Sequence, residues 1–147
     1  MSSENKVVIN DVEIFTDERG EIAFSNDSSL EKFSRFYFIK HKSTEVVRAW
    51  QGHPLERKMF VVVQGEFLLA WVKIDDFSNP SLDLPVDHIT ISSDNNKCVN
   101  LPPGYANGLK ALQENSIVLV FSEFLVNESM EEKIRFPKNY WFNWQKY

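Results

Sequence analysis

The stretch 59–74, Met-Phe-Val-Val-Val-Gln-Gly-Glu-Phe-Leu-Leu-Ala-Trp-Val-Lys-Ile, contains two apolar runs separated by a Gln-Gly-Glu turn. Runs rich in β-branched and aromatic residues favour strands, and a glycine between two such runs is typical of a hairpin. We therefore predict strands over residues 59–63 and 66–74, joined as a hairpin at Gln64 and Gly65.

Similar short runs recur along the rest of the chain, separated by polar turns. Further strands are predicted over residues 7–15, 21–24, 33–40, 45–50, 86–92, 99–101 and 117–124. Helical patterns occur only over residues 28–33 and 128–134, and the aromatic segment 136–147 is expected to pack on the body of the protein or on a partner. Many short strands with regular turns are typical of a sandwich or barrel, so we predict an all-β fold.

Composition limits the class of protein. The 147 residues fit one domain, and a hydrophobic fraction of 43% with 14% aromatic residues is enough for a core. The formal net charge of -5 argues against a general nucleic-acid binder, which normally has a basic surface. Cys98 is the only cysteine, so neither an intrachain disulfide nor a cysteine metal cage can form.

No targeting or membrane segment is expected. No long apolar segment follows the first residues, and no run approaches the roughly 18 apolar residues of a membrane span. We predict a cytoplasmic protein that contacts neither membrane nor nucleic acid.

The strongest chemical signal lies just before the opening stretch, in Arg48-Ala49-Trp50-Gln51-Gly52-His53 and in Lys58, which we place on two paired strands. A guanidinium suits phosphate, an imidazole titrates near neutrality, and a lysine can stabilise an enolate oxygen. Together they suit proton abstraction next to a carbonyl of a phosphate-bearing substrate. Alternatively, His53 simply ends a strand before Pro54, and Arg48 pairs with a surface acid.

Strand parity adds a condition to the functional interpretation. In a regular strand Gln51 and His53 share one face, and Arg48 points to the other. A shared pocket therefore requires a β-bulge between Arg48 and Gln51.

Two further segments carry polar residues in glycine-containing turns. The segment 101–109, Leu-Pro-Pro-Gly-Tyr-Ala-Asn-Gly-Leu, leads into a strand that would place Asn107 at the pocket wall. The segment 17–20, Asp-Glu-Arg-Gly, is a polar turn. Taken alone, the segment 17–20 and the glycines of 101–109 are better explained as structural turns. His41 and His88 have polar neighbours and are predicted to lie on the surface.

These three segments, in this order and spacing, resemble the cupin-fold sugar-nucleotide enzymes. The matching groups are the dTDP-4-dehydrorhamnose 3,5-epimerases and the sugar 3,4-ketoisomerases, including WxcM-like proteins. The epimerases have an Asp-Glu-Arg-Gly turn, an Arg-Gly-Leu-His motif, a lysine ahead of a Gly-Glu turn, and a Pro-X-Gly-X-Ala-His-Gly segment. The ketoisomerases have Arg-Gly-X-His-Ala-His, similar to residues 48–53, and an upstream strand similar to residues 36–38. The resemblance covers about residues 8–125.

The resemblance implies a single cupin domain over residues 1–147, a double-stranded β-helix of the jelly-roll type with one or two short helices. It implies an isomerase or epimerase of a dTDP-linked 4-keto-6-deoxy sugar in surface-polysaccharide biosynthesis, a homodimer, and no cofactor. In the matched positions, Arg48 would hold the diphosphate, and Arg19 would reach a neighbouring subunit's site through an exchanged N-terminal strand. Lys58 would lie near the keto oxygen, and His53 would be the base.

The chain departs from the family at several positions. Gln51 and Asn107 replace histidines, and Val120 stands where the epimerases have an acid tyrosine. Tyr37 and Tyr105 are the candidates for a replacement proton donor. Three positions, Gln51, Tyr105 and Asn107, are expected to contact substrate, and Tyr37 is expected to act with His53 and Lys58 in catalysis.

The same departures bear on metal binding and on catalysis itself. The histidines of metal-binding cupins are partly missing, which leaves His53 and at best Glu56, so no metal is expected. A non-catalytic cupin that binds a sugar nucleotide or a partner protein is the alternative function.

Overall fold

The computed structural model describes residues 5–147. Their strands are β1 (Val8–Asp11), β2 (Glu13–Asp17), β3 (Gly20–Phe24), β4 (Arg35–Lys40), β5 (Val47–His53), β6 (Lys58–Gln64), β7 (Glu66–Lys73), β8 (Asp87–Ser92), β9 (Lys97–Leu101), β10 (Tyr105–Ala111), β11 (Ile117–Ser122) and β12 (Ile134–Arg135). One α-helix, α1 (Val126–Glu132), and 3-10 turns over Ser28–Lys32 and Trp144–Lys146 complete this part of the chain.

Two five-stranded antiparallel sheets make the body of the protein. The first sheet has the order β1-β9-β6-β11-β4, and the second has the order β12-β5-β10-β7-β8. The β2–β3 hairpin forms a separate two-stranded sheet. This is the jelly-roll arrangement of a cupin, so the predicted all-β fold is confirmed.

The pairing of the strands corrects two predictions. β6 pairs with β9 and β11 in the first sheet, whereas β7 pairs with β8 and β10 in the second. Gly65 is therefore a corner between the sheets, not a hairpin turn; its φ is 75°, and a Cβ there would collide with the side chain of Ser116. β5 and β6 are not paired either, so Lys58 approaches Arg48 and His53 from the opposite sheet.

The predicted bulge in β5 is confirmed. Asn107 of β10 lies opposite Gln51, but Gly108 lies opposite Ala49, so Trp50 is an extra residue in the pairing. Arg48, Gln51 and His53 consequently all face the space between the sheets. Ala49 and Trp50 face the other side, where Trp50 is buried.

Residues 5–147 form two apolar cores. One fills the space between the sheets, around Phe60, Leu69 and Val120. The other lies on the outer face of the second sheet, where the C-terminal segment packs through Phe136 and Trp144, as predicted. Burial of this outer face explains why β7 is a continuous apolar run rather than an alternating one.

Several element boundaries differ from the prediction. The strand expected over residues 7–15 is divided into β1 and β2, and α1 begins two residues earlier than expected. β10, a central strand of the second sheet, was predicted only as a turn leading into a strand. Among residues 5–147, none of the helices has the length and apolar character needed to cross a membrane.

Candidate active site

A cavity of about 220 Å³ opens between the sheets. Strands β4, β5, β6 and β10 and helix α1 contribute its walls. Six of the eight predicted site residues line it: Tyr37, Arg48, Gln51, His53, Lys58 and Asn107. Residues of the segments 48–58 and 101–109 thus converge on one cavity with Tyr37, with β5 and β10 on one side and β4 and β6 on the other.

Of the residues that the structure describes, four with cationic side chains line this cavity. Arg48 and Lys58 were predicted, whereas Arg35 of β4 and Lys133, next to α1, were not. Burial, followed by the charges of Arg135, Lys58, Arg48 and Arg35, holds the pKa of Lys133 below its ordinary value. A cavity with this much positive charge suits a ligand that carries more than one negative charge, such as a diphosphate.

His53 is buried and held by a carboxylate that the sequence analysis missed. Its Nδ1 lies 2.6 Å from Oε2 of Glu132, near the end of α1. The other oxygen of Glu132 accepts hydrogen bonds from the backbone N–H groups of Leu55 and Glu56, each at 2.9 Å. A carboxylate oxygen accepts hydrogen bonds, so we place the proton of the neutral ring on Nδ1, and Nε2 is the ring nitrogen left to accept a proton from a ligand in the cavity.

Glu56, which the sequence indicated only as a possible metal ligand, is the second carboxylate beside His53, and it is 1% exposed. Its oxygens accept hydrogen bonds from the hydroxyls of Ser122 and Ser129 and from the backbone N–H of Phe124, at 2.5, 2.7 and 3.0 Å. The Lys58 ammonium lies 3.0 Å away. Burial raises the pKa of Glu56, but the two hydroxyls and Lys58 outweigh burial and bring its pKa below the ordinary value.

Tyr37 lies between two cations. Its hydroxyl accepts a hydrogen bond from Lys58 Nζ at 3.1 Å, and its ring lies under Arg35, with Cζ 4.9 Å from the ring centre. The Tyr37 hydroxyl is thereby held beside the Lys58 ammonium at the cavity wall.

Gln51 and Asn107 are neighbours across the β5–β10 pair, and both line the cavity. Within the described part of the chain, the hydrogen bond of the Asn107 amide goes to the backbone oxygen of Gln51, at 3.4 Å. Both side chains therefore keep hydrogen-bonding capacity for a ligand, but neither can take up a proton near neutral pH.

The structure does not bring the other two predicted residues to this cavity within one chain. Tyr105 packs against the core between the sheets, where burial and Asp87 raise its pKa. Arg19, at the tip of the β2–β3 hairpin, has a side chain that is 79% exposed and 2.6 Å from Asp17. Their substrate-binding roles stay predictions.

The two other histidines, His41 and His88, differ in their exposure to solvent. His88 is exposed, as predicted. His41 is half-buried against Phe67, and burial together with Arg48 lowers its pKa, so its predicted surface position is wrong. His41 does not line the cavity.

The three donors His53, Glu56 and Glu132 have ligand atoms within 4.8 Å of one another, as a metal site would require. Their donor atoms are, however, already engaged by one another, by Lys58 and by the hydroxyls of Ser122 and Ser129. A metal ion would have to displace the ammonium of Lys58, so these residues fit a hydrogen-bonded ion cluster better than a metal centre. The absence of a metal remains a prediction.

Solved structures share this fold over most of the chain. A dTDP sugar isomerase from Desulfovibrio desulfuricans G20 matches with a TM-score of 0.75 and 19% identity, over 96% of this chain and 92% of that one. The sugar 3,4-ketoisomerase from Thermoanaerobacterium thermosaccharolyticum, in complex with TDP, matches with a TM-score of 0.69 and 15% identity, over 88% of each chain.

A dTDP-4-dehydrorhamnose 3,5-epimerase from Bacillus anthracis, with TDP and pyrophosphate bound, gives a TM-score of 0.76 and 16% identity, over 95% of this chain and 83% of that one. No protein-family model matches the sequence, and no curated protein matches it significantly. The fold of this chain is therefore that of the cupin-type dTDP-sugar isomerases and epimerases that its sequence resembles.

Proposed function

We propose that this protein is an isomerase or epimerase of a dTDP-linked 4-keto-6-deoxy sugar, acting by proton transfer next to the carbonyl. The observation that carries the proposal is a buried imidazole, His53, paired with Glu132 at 2.6 Å in the wall of a cavity with four cationic side chains. Structural neighbours crystallised with TDP support the ligand class.

The cations have separate roles in this proposal. Arg48, Arg35 and Lys133 bind the diphosphate, because a guanidinium gives two parallel hydrogen bonds to phosphate oxygens and a lysine adds a point charge. Lys58 lies deeper, at 4% exposure beside Tyr37, where it stabilises the oxygen of the keto group.

The proton transfer follows from the hydrogen bonds of His53. Nε2 removes the proton from the carbon next to the carbonyl, and the bonding electrons move to the keto oxygen, which becomes an enolate oxygen beside Lys58. Glu132 stabilises the imidazolium that forms. In a ketoisomerase reaction, the hydroxyl proton on the carbon that lost its hydrogen passes to the enolate oxygen, and His53 then gives its proton to the former carbonyl carbon, so that the ketone moves to the adjacent carbon. In an epimerase reaction, Tyr37 instead gives a proton to the opposite face of the same carbon, while Lys58 stabilises the resulting phenolate.

Incubation with dTDP-4-keto-6-deoxyglucose in deuterated water, followed by NMR of the sugar, tests the reaction. One base in the cavity favours deuterium at a single carbon, whereas label at two carbons would indicate epimerisation at both. His53→Asn should abolish labelling and keep dTDP binding, while His88→Asn, at an exposed histidine outside the cavity, should change neither. Labelling that persists in His53→Asn contradicts the mechanism.

One observation favours a second function, a non-catalytic cupin that binds a sugar nucleotide or a partner protein. Gln51 and Asn107 present two amides at the cavity wall where the related enzymes have histidines. Thermal stabilisation by dTDP without any deuterium in the sugar, across several keto-sugar nucleotides, would identify this function.

We also propose that the protein works as a homodimer in the cytoplasm and supplies sugars for surface polysaccharide. The outer face of the first sheet exposes Phe36, Phe38 and Val63 at 61%, 56% and 50%. The β2–β3 hairpin, which carries Arg19, exposes apolar side chains as well. A second copy would cover this surface, so analytical ultracentrifugation should show a dimer, and Phe38→Glu should shift it to a monomer.

A further inference from the structure

We propose that Glu56 is a positioning residue of this site: its carboxylate holds the Lys58 ammonium at the cavity wall and balances the charge that His53 gains when it takes a proton. The inference rests on the proposed function and adds a residue to it. Glu56 does not line the cavity, so it would act only through Lys58 and His53.

The geometry places one carboxylate oxygen between both functional groups. Oε1 of Glu56 lies 3.0 Å from Lys58 Nζ and 3.3 Å from His53 Nδ1. Lys58 Nζ also donates to the hydroxyls of Tyr37 and Ser122, each at 3.1 Å. These three contacts hold the ammonium at one point of the cavity wall, beside Tyr37.

Glu56 also joins the elements that surround the cavity. The donors to its two oxygens come from the end of β11, from the segment after it, and from α1, through Ser122, the backbone of Phe124, and Ser129. Its own backbone N–H donates to Glu132, the partner of His53. The positions of Lys58, α1 and His53 are therefore linked through one buried side chain.

His53, Glu56, Lys58 and Glu132 form a buried charged cluster, and its net charge explains the need for a second carboxylate beside His53. Glu56, Glu132 and Lys58 together carry one negative charge while His53 is neutral, and the cluster becomes neutral when His53 takes a proton. The other charged side chains that line the cavity are cations, on β4, on β5 and next to α1: Arg35, Arg48 and Lys133. Without Glu56, the protonated state of His53 would leave a buried excess of positive charge, which is costly.

Glu56→Gln tests this role because the side chain keeps its size and loses its charge. We expect kcat for proton exchange to fall on the order of tenfold or more, since His53 becomes a weaker base and Lys58 is no longer fixed. KM and the dissociation constant for dTDP should stay the same or decrease, because the cavity gains positive charge. A merely structural role would instead raise KM and weaken dTDP binding.

Glu123→Gln is the matched control. Glu123 lies near Glu56 in the fold and accepts a backbone hydrogen bond from Arg57 at 3.0 Å, but it does not line the cavity. Its substitution should leave kcat and KM unchanged.

The outcomes separate this inference from the proposed function. A wild-type protein without deuterium exchange overturns the proposed function. A wild type that exchanges, with Glu56→Gln equal to it, overturns the role of Glu56 alone. If Glu56→Gln does not fold, as judged by thermal unfolding, the double variant Glu56→Gln with Lys58→Gln, which removes both charges, is compared with Lys58→Gln. A slower double variant supports the action of Glu56 on His53, and equal rates overturn it.

Discussion

Glu132→Gln is the substitution that tests the histidine–carboxylate pair most directly. Oε1 of Glu132 accepts two backbone hydrogen bonds, from Leu55 and Glu56, both at 2.9 Å. The oxygen of a glutamine amide must take that position, so the NH2 group takes the place of Oε2, 2.6 Å from Nδ1 of His53. An NH2 group can only donate there, so Nδ1 has to accept, and the proton of the neutral ring moves to Nε2.

The reversed tautomer removes the base from the cavity. We expect deuterium exchange to slow by about 10²- to 10⁴-fold, or roughly 2.7–5.4 kcal/mol in activation free energy, as for other catalytic histidines that lose the tautomer set by their carboxylate. The side chain of residue 132 keeps the two hydrogen bonds that it accepts from the backbone N–H groups of Leu55 and Glu56. The free energy of unfolding should therefore fall by no more than about 1 kcal/mol.

The assay is the initial rate of deuterium incorporation into the keto sugar, with urea unfolding of the same samples. Glu131→Gln is the control, because Glu131 is its exposed neighbour on α1. Unchanged dTDP binding in Glu132→Gln would show that the cavity is intact. Exchange as fast as in the wild type would refute the assignment of Nε2 as the base set by Glu132.

Three further predictions concern pH and packing. Because the pKa of Lys133 is lowered by burial and neighbouring cations, dTDP affinity should begin to fall at a lower pH than the ordinary lysine pKa of about 10.4, and Lys133→Arg should remove that fall in calorimetric titrations. A Cβ on Gly108 would lie 2.5 Å from Cζ2 of Trp144, so Gly108→Ala should lower the free energy of unfolding by about 1–3 kcal/mol in urea; an unchanged value would mean that the C-terminal segment moves freely. The lowered pKa of Glu56 adds stability that is present above the ordinary glutamate pKa of about 4.3 and is lost as the pH falls through the lowered pKa, so Glu56→Gln should flatten the acid limb of the stability curve.

Local sequence patterns were sufficient for most of the strands, though not for β10 or β12, and for one irregularity. The bulge at Trp50 could be predicted because parity separates Arg48 from Gln51, and a shared pocket demands an extra residue. The pattern of apolar and polar residues did not predict which strands pair with each other. The turn at Gly65 has the composition of a hairpin, but the chain passes to the other sheet there: β6 pairs with β9 and β11, and β7 pairs with β8 and β10.

The site was predictable where its residues shared a motif. Arg35 could have been predicted as a cavity residue, since it lies two residues before Tyr37 and therefore on the same face of β4. No sequence pattern indicated that Glu132 belongs to the site, because it lies 79 residues after His53 and resembles the solvent-facing acids beside it on α1. Glu56 was considered only as a metal ligand, because its Ser122 and Ser129 partners come from distant segments.

Because of the extra residue in β5, adjacent residues of one strand contribute separately to the outer core and to the cavity. Trp50 anchors the outer core beneath the C-terminal segment, while Gln51, its immediate neighbour, faces the ligand cavity. Substitutions at position 51, and at Asn107 opposite it, therefore change what the cavity can recognise or ionise without touching the apolar packing behind the sheet. A scaffold divided in this way can exchange a histidine for an amide at the wall and keep its fold, so different chemistries can evolve on the same frame.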